Sequence, residues 1–325
     1  MASLLHEAWA TCTHFMNHQR FLNYIDEIAR AGSIRQAAER LHVVPSSVNR
    51  RLLDIEEELG TPIFERMPHG MRLTAAGELF INYIRSQSSA LEQTRSQIEE
   101  LKGLRRGQIR LLVSQGVAVK FLPKAIALFR QTHQLVEFDV RVVDHVEALN
   151  ALRNYQADLA LVLNLPDEAD IERLLALPQP LKLMLHCSHP LANQPAVRLR
   201  EALNYPVVLP SGDFGARRLL QTYLTRRSFA LEPVITSNSF EFLRSCLHHN
   251  AMVSFQFEIG AQDESGQLAV RDIADRGFPS GELVLARLRG RQLAVITNVW
   301  IEALQLGLDA RPPTQVPIPG EKPHE

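Results

Sequence analysis

Residues 43–60 have the sequence VVPSSVNRRLLDIEEELG, and the rest of the chain is interpreted from this segment outward. Its apolar residues recur at the spacing of one helix face, which predicts an amphipathic helix with a buried stripe. The opposite face near the N-terminus is short, polar and cationic, as a helix that enters a DNA groove must be. The stripe consists of Val48, Leu52, Ile55 and Leu59, and the outward face of Ser46, Ser47 and Arg50, with Asn49 at its edge.

The ends of this helix and the segment before it complete a motif. Pro45 suits a first helical position, and Gly60 suits a left-handed stop. Upstream, Ser33 and Gln36 have the spacing of a capping box, so a second helix is expected to begin there and to end before the connection 42–45. Two helices joined by a short turn, the second with a polar outer face, predict a helix-turn-helix.

A β-hairpin is predicted directly after the motif. Residues 62–66 and 71–73 read as short extended segments on either side of a Pro/Gly turn. Arg66 and Arg72 flank that turn, where they would face DNA phosphates. The hairpin is therefore interpreted as a wing beside the helix.

A long helix is expected over residues 75–102, with Thr74 as its N-cap. One set of its residues steps by four and three in alternation, which is a heptad seam. Such a seam calls for a partner helix, and a second copy of the chain is the simplest partner. The alternative is that the helix packs on its own chain. The seam residues are Phe80, Ile84, Gln87, Leu91, Thr94, Ile98 and Leu101.

From Gly107 the pattern changes to alternating strands and helices, typical of a mostly parallel sheet. In the strand 137–143, Phe138, Val140 and Val142 are expected to point inward. A second β/α series begins near Pro180, and a last helix is expected to stop at Gly307. Two series predict two subdomains with a ligand cleft beyond the carboxyl ends of their strands.

Composition limits the classes of function. The chain has 325 residues and a net charge of −1, so several domains are expected and any DNA contact must come from a local basic patch. Three widely spaced cysteines argue against a disulfide framework and favour the cytoplasm. The first 20 residues make a poor signal peptide, no apolar run is long enough to span a membrane, and the Pro-rich tail is expected to be disordered.

Four short motifs, in order, carry a family resemblance: residues 37–41 (AAERL), 57–60 (EELG), 64–66 (FER) and 73–77 (LTAAG). Together they resemble the DNA-binding half of LysR-type transcriptional regulators. The resemblance is specific from about residue 21 to residue 101 and continues in layout to residue 306.

The resemblance implies a multidomain α+β and α/β protein. It implies a winged helix-turn-helix, a dimerising linker helix and a periplasmic-binding-protein-like effector domain of two α/β subdomains. The implied partners are double-stranded operator DNA, a small-molecule effector, further copies in a homodimer or homotetramer, and RNA polymerase as a candidate. The expected boundaries are 1–15 for an N-terminal extension, 16–74 for the DNA-binding domain, 75–104 for the linker helix, 107–308 for the effector domain (subdomain I at 107–182 and 282–308, subdomain II at 183–281) and 309–325 for the tail.

The chain departs from the family at the start of the recognition helix. The family usually has Ser-Gln-Pro there, and this chain has Val44, Pro45 and Ser46. Val44 offers no side-chain cap, and the Gln that often reads a base edge is missing. The base contacts are therefore expected to differ from those of relatives.

Arg50 is the foremost candidate for contact with a base or a phosphate, because bidentate Arg–guanine pairing is the commonest specific contact. The alternative is a surface Arg that pairs with Asp54. Arg51 is expected to touch phosphate or nearby Glu residues, and the small polar residues of the helix act either as contacts or as caps. The candidate DNA-binding residues are Arg35, Ser46, Ser47, Asn49, Arg50, Arg51, Arg66 and Arg72.

Polar residues at strand ends and helix starts are the candidate effector contacts, since helix N-termini with hydroxyl groups suit anions. Ordinary capping is the alternative for each of them. Arg217 and Arg218 are candidates to hold a carboxylate, which makes an acidic metabolite a candidate effector. The candidates are Ser114, Gln115, Asn164, Ser211, Asn238 and Ser239.

Neither a metal site nor a catalytic site is predicted. The segment 186–189 (HCSH) does not have the spacing of a zinc site and reads as a strand end before a turn. No nucleophile elbow, phosphate loop or dinucleotide fingerprint occurs, so no cofactor and no enzyme activity are expected. The rival interpretation is an α/β binding protein or enzyme whose cleft, not DNA, is the main site of activity.

Overall fold

The computed structural model describes residues 21–68, 70–101, 106–211, 215–225, 231–249, 251–263 and 265–309. The predictions for residues 1–15 and for the tail beyond 309 lie outside this part of the chain. Contacts divide the chain into two compact units, Met1–Thr94 and Arg95–Glu325.

The N-terminal unit has the predicted helix-turn-helix and hairpin. Its elements are α1 (21–31), α2 (Ile34–Arg40), α3 (Pro45–Leu59), β1 (Phe64–Met67), β2 (Gly70–Leu73) and the long helix α4 (Ala75–Leu101). The two strands pair antiparallel. Apolar residues from the helices and from the segment that leads into β1 form one core, among them Ile25, Ile28, Ala37, Val48, Leu52, Ile63 and Ile81.

Two local expectations for this unit are wrong. Ser33 is the N-cap of α2, but its side chain makes no cap hydrogen bond, so the capping box is not formed. Instead, the Gly32 carbonyl at this turn accepts the Met71 N–H at 2.8 Å, which ties the turn to the wing. Leu59 is 42% exposed because it lies in the last turn of α3, beyond the core.

The first half of helix α4 packs on the N-terminal unit. Ile81 and Ile84 are buried in the N-terminal core, and Phe80 packs against it. Farther along the seam, Ile98 is 47% exposed and Leu101 is 88% exposed. The first part of the seam thus packs on its own chain, which was the alternative interpretation, while the last part leaves apolar side chains exposed.

The C-terminal unit contains a five-stranded and a six-stranded sheet. The elements of this unit are β3 (Gly107–Val113), α5 (Gln115–Ala118), α6 (Phe121–Thr132), β4 (Val136–Val142), α7 (His145–Arg153), β5 (Leu159–Leu163), β6 (Ile171–Gln179), β7 (Leu181–His186), β8 (Ala196–Val197), α8 (Leu199–Ala202), β9 (Val207–Pro210), α9 (Gly215–Thr225), β10 (Ile235–Ser237), α10 (Phe240–Cys246), β11 (Val253–Phe257), α11 (Glu258–Ala261), β12 (Leu268–Ile273), β13 (Gly281–Leu288) and α12 (Val295–Asp309). The first sheet has the order β4-β3-β5-β13-β6 and the second the order β10-β9-β11-β7-β12-β8.

The chain passes between the two sheets twice. It leaves the first sheet at Gln179 and enters the second at Leu181, then returns from Ile273 to Gly281. Strands β3, β4 and β5 are parallel, whereas β13 runs antiparallel to both β5 and β6. This arrangement sets the carboxyl ends of the parallel strands toward a common edge, where a cleft forms.

Three expectations for this unit are wrong: the burial of Val140, the burial of Val142 and the end of the last helix at Gly307. Strand β4 is at the edge of its sheet, and helices cover Phe138 but leave Val140 36% and Val142 54% exposed. Helix α12 continues through Gly307 to Asp309, since the buried Leu308 holds its last turn against the core.

Candidate nucleic-acid interface and ligand cleft

The outward face of α3 begins with an uncapped tip. Pro45 is at the first helical position, and Val44 is the N-cap with extended backbone and no side-chain cap hydrogen bond. Val44 is 61% exposed, and Ser46, Ser47 and Arg50 are also exposed. The helix ends at Gly60 in the left-handed conformation, as predicted.

Arg50 and Arg51 differ sharply in their surroundings. Arg51 donates to Asp54 at 3.3 Å, and its guanidinium carbon lies 3.9 Å from the centroid of the Phe21 ring. The alternative interpretation, in which Arg50 pairs with Asp54, is therefore not what the structure has. Arg50 makes no hydrogen bond or ion pair with any residue in the described part of the chain, so its guanidinium is available to a partner from outside.

The wing is fastened to α3 by polar contacts. The Glu56 carboxylate accepts the backbone N–H groups of Ile63 and Phe64 at 2.7 and 3.2 Å, which fixes the path into β1. From β1, Arg66 donates to Asn49 Oδ1 at 3.3 Å. These bonds bring two of the candidate DNA-binding residues together on one exposed surface.

The other two candidate cations are paired on the surface. Arg72 bonds Glu65, its cross-strand partner, at 3.2 Å. Arg35 bonds Glu39 one helical turn away at 3.3 Å. Exposed pairs of this kind are weak, so either Arg can exchange its carboxylate for a phosphate.

A narrow cleft opens in the C-terminal unit where strands of the two sheets end. Helices α5, α7, α9 and α10 each present their first residues to it. This ligand cleft is lined by Ser114, Gln115, Gly116, Val143, Asp144, His145, Leu163, Gly215, Ala216, Phe240, Gln256 and Phe257.

Two of the predicted effector residues line the ligand cleft. The Ser114 hydroxyl accepts the Leu163 N–H at 2.9 Å, which leaves its own hydrogen to donate. Gln115 reaches from the first sheet to the second: in the orientation that satisfies both partners, its amide donates to the Asn238 carbonyl at 2.9 Å and accepts the Phe240 N–H at 3.2 Å. Gln115 therefore spans the cleft.

The remaining predicted residues lie outside this lining. Asn164 has φ +53°, and its Oδ1 accepts the Glu282 N–H at 2.8 Å, which joins β5 to β13. The Ser239 hydroxyl caps α10 by accepting the Phe242 N–H at 3.2 Å. Ser211 pairs its N–H with the Ser237 carbonyl at 2.9 Å. Residues 212–214 are outside the described chain.

Sequence reasoning missed three polar residues of the ligand cleft. Asp144 and His145 follow β4 just as Ser114 and Gln115 follow β3, so the strand-end rule would have found them. Asp144 caps α7 by accepting the Glu147 N–H at 2.8 Å. Gln256 is buried in β11 between two Phe residues, and a polar side chain inside an apolar strand was its signal.

The structure gives no support for a carboxylate clamp from α9. Arg217 donates to the Pro210 carbonyl at 3.3 Å, and Arg218 is exposed on the helix. Neither residue lines the ligand cleft, and no Arg or Lys is among the described residues that do.

The histidine- and cysteine-containing segment is held by local bonds. His186 Nδ1 lies 2.7 Å from the Ser188 hydroxyl, and the pKa of His189 is lowered because burial disfavours its charged form. Within the described ranges, no group of three or more His, Cys, Asp or Glu side chains could hold a metal ion. No helix in those ranges is long and apolar enough to cross a membrane.

Comparisons with known families place both halves of the chain. Residues 19–78 match the bacterial regulatory helix-turn-helix proteins of the lysR family. Residues 102–308 match the LysR substrate binding domain.

Curated relatives align with most of the chain. The transcriptional activator CmpR of Synechocystis is 23% identical over 85% of this chain and 91% of its own length. The RuBisCO operon transcriptional regulator of Allochromatium vinosum is 26% identical over 87% of this chain and 94% of its own length.

Solved structures share the fold. A full-length OxyR from Pseudomonas aeruginosa aligns with a TM-score of 0.67 at 18% identity, over 89% of this chain and 94% of that one. Full-length CbnR in complex with its target DNA aligns with a TM-score of 0.53 at 18% identity, over 89% of this chain and 98% of that one.

Proposed function

Since the chain belongs to the LysR family of bacterial transcriptional regulators, we propose that α3 and its wing read the operator and that the ligand cleft holds the effector. The chain is a DNA-binding transcriptional regulator with an effector-binding domain, and it is not an enzyme. What is proposed is which residues perform the two tasks.

The availability of Arg50 is the observation that supports this assignment for DNA. It lies on the exposed face of α3 with Ser46 and Ser47 one turn before it, and no described residue neutralises its charge. Its neighbour Arg51 is held by Asp54 and Phe21 and serves to support the helix. We assign the remaining cations to phosphates, whose contacts orient a protein on DNA without reading its sequence. Arg66 would act together with Asn49, and Arg35 and Arg72 would first exchange their carboxylate partners for phosphates.

Arg50→Ala tests the DNA assignment. The variant should lose operator affinity roughly 5- to 150-fold, since a good Arg–guanine pair contributes about 1–3 kcal/mol of discrimination. The measurement is a gel shift or fluorescence anisotropy with the DNA upstream of the chain's own gene. Arg141→Ala, which removes a cation from β4 in the other unit, is the control. Unchanged operator affinity of Arg50→Ala would refute the assignment.

The polar groups that meet at the ligand cleft support the effector assignment. They come from both sheets: Ser114, Asp144 and His145 from the first and Gln256 from the second. A ligand that bonds to both sheets would stabilise one relative placement of them, which is how a small molecule shifts a conformational equilibrium.

A thermal-shift screen with acids, amines and sugars tests the effector assignment. A compound that binds at 100 times its Kd stabilises its domain by about 2.7 kcal/mol, which is a readily measured shift. Gln256→Leu should abolish the shift, and Arg218→Ala should preserve it. A shift that survives in Gln256→Leu would place the ligand elsewhere, and circular dichroism confirms that the variant is folded.

The broader organisation is proposed on the same basis. Family members form oligomers, and the uncovered distal edge of α4, with Ile98 and Leu101, suits a helix from a second copy. The domain division is proposed at the boundaries expected above, with the N-terminal domain reading DNA in the cytoplasm and RNA polymerase as a candidate partner. Because the relatives differ in their named targets, genome-wide binding sites are the way to find the genes controlled.

A further inference from the structure

Val44 occupies a position at which an apolar residue costs stability. It is the N-cap of α3, where Ser, Thr, Asp or Asn would accept a first-turn N–H, and its own side chain makes no such bond. It is also 61% exposed, so packing into the core does not explain its presence. A residue that is unfavourable for the helix and uncovered by the protein is a candidate for contact with something outside it.

The surface around Val44 indicates what that partner is. Val44 and Pro45 form the exposed tip of α3, immediately before Ser46 and Ser47 and one further turn before the unpaired Arg50. This is the face assigned above to the operator, so the inference rests on the proposed function.

The chemistry of the tip selects one group on DNA. Val44 has no donor or acceptor in its side chain, and Pro45 lacks even a backbone N–H. In the major groove, every base-edge group that distinguishes the base pairs is a hydrogen-bond donor or acceptor except the 5-methyl group of thymine. Covering a polar edge with an apolar side chain would leave that edge unsatisfied, which disfavours the other three bases. We infer that Val44 is a specificity-determining residue that packs on a thymine methyl group in each half-site.

Uracil substitution tests this contact directly, because it removes only the methyl group. The operator is first obtained by in vitro selection with the full chain, and each thymine is then replaced singly by uracil. One thymine position per half-site should weaken wild-type binding roughly fourfold, the equivalent of one buried methyl group. Fluorescence anisotropy gives the Kd.

Two variants assign the effect to its residue. In Val44→Ala, the same uracil substitution should change Kd less than about twofold, since much of the apolar contact is already gone. Leu53→Ala removes another exposed apolar side chain from α3, 52% exposed, and should keep the full fourfold effect. Val44→Thr, which preserves the shape of the side chain, checks that a loss of the uracil effect in Val44→Ala does not come from misfolding.

The outcomes separate this inference from the function on which it rests. If selection yields no specific sequence, the proposed operator reading by α3 fails, and the inference fails with it. If a specific operator is bound but no uracil substitution matters, or if the effect persists undiminished in Val44→Ala, only the Val44 contact is refuted.

Discussion

At the level of single residues, the N-cap of α3 places helix stability and DNA recognition in opposition. Val44→Ser would supply the missing side-chain acceptor for a first-turn N–H. Replacing a non-capping residue by Ser should stabilise the helix by about 0.5–2 kcal/mol. Hydrogen exchange of the α3 amides should slow correspondingly while operator binding weakens. Unchanged exchange would mean that another group already caps the helix.

Replacing two glycines that lie inside helices by alanine should change stability in opposite directions. A Cβ at Gly77 in α4 would lie 2.0 Å from the backbone carbonyl oxygen of Ile63, whereas a Cβ at Gly307 in α12 would meet nothing within 4 Å. Gly77→Ala should therefore destabilise the N-terminal unit by roughly 1–3 kcal/mol through overpacking. Gly307→Ala should stabilise its helix by roughly 0.5–1 kcal/mol.

Hydrogen exchange measured on both glycine variants checks the pair. Protection should fall across α1 to α4 in Gly77→Ala and rise around residue 307 in Gly307→Ala. Equal effects of the two substitutions would show that general helix propensity, not the close contact with Ile63, decides the outcome.

The residues of the DNA-binding surface and of the ligand cleft could be predicted from the sequence only in part. The spacing of Val48, Leu52 and Ile55 marked the buried face of α3, and so left Arg50 outward. Spacing could not show that Arg51 would bind Asp54 and so release Arg50, since two adjacent cations compete for one carboxylate in three dimensions. In the ligand cleft, Gln256 was missed because it lies within β11, whereas the search for effector contacts was limited to strand ends and helix starts.

At the level of elements, α4 is fixed to the helix-turn-helix by a buried ion pair. Arg85 on α4 donates to Asp26 on α1 at 2.7 Å, both side chains are buried, and Arg30 bonds the same carboxylate at 2.8 Å. Asp26→Ala would take the carboxylate away from both guanidinium groups, one of them buried. The N-terminal unit should lose roughly 3–5 kcal/mol of stability, as on breaking other buried pairs.

The double replacement Asp26→Leu with Arg85→Met is the informative comparison. It removes both charges at similar volume, and such replacements are often neutral or stabilising. Hydrogen exchange of the N-terminal unit should therefore be closer to the wild type in the double variant than in Asp26→Ala. A double variant as unstable as the single one would mean that the pair is needed for more than mutual neutralisation.

Whether a segment forms a helix or a strand was easier to predict than its position in the fold. The helices of the N-terminal unit and the β/α order after Gly107 follow from periodicity, which is a local property. Which strand lies at an edge is a property of the whole sheet, and this is why Val140 and Val142 in β4 were expected to be buried. Strands β6 and β12 were missed since their polar residues hide the alternation.

For the whole molecule, acid stability should depend on ion pairs of the C-terminal unit. The hydrogen bond from Arg153 lowers the pKa of Asp170, and that from Arg287 lowers the pKa of Glu172. A carboxylate with a lowered pKa contributes stability above its unfolded pKa of about 4 and loses it as the pH falls through the folded value. The unit should therefore become less stable as the pH drops below about 4.

The double variant Asp170→Asn with Glu172→Gln should show a flatter dependence on pH. Urea unfolding followed by the fluorescence of the buried Trp300, in a Trp9→Phe background, measures the free energy of unfolding. Glu232→Gln is the control, since Glu232 is exposed and makes no ion pair within the described residues. An unchanged slope in the double variant would assign the acid sensitivity to other groups.

The two passages of the chain between the sheets, at 179–181 and 273–281, limit what an effector can do mechanically. A body tied to another at two points keeps one easy degree of freedom, which is rotation about the line through those points. Gln115 lies across the gap that this rotation would open or close. Any molecule that binds in the cleft, whatever its chemistry, can therefore act through one variable, the angle between the two sheets. A regulator with this layout can take a different effector while this rotation stays the same.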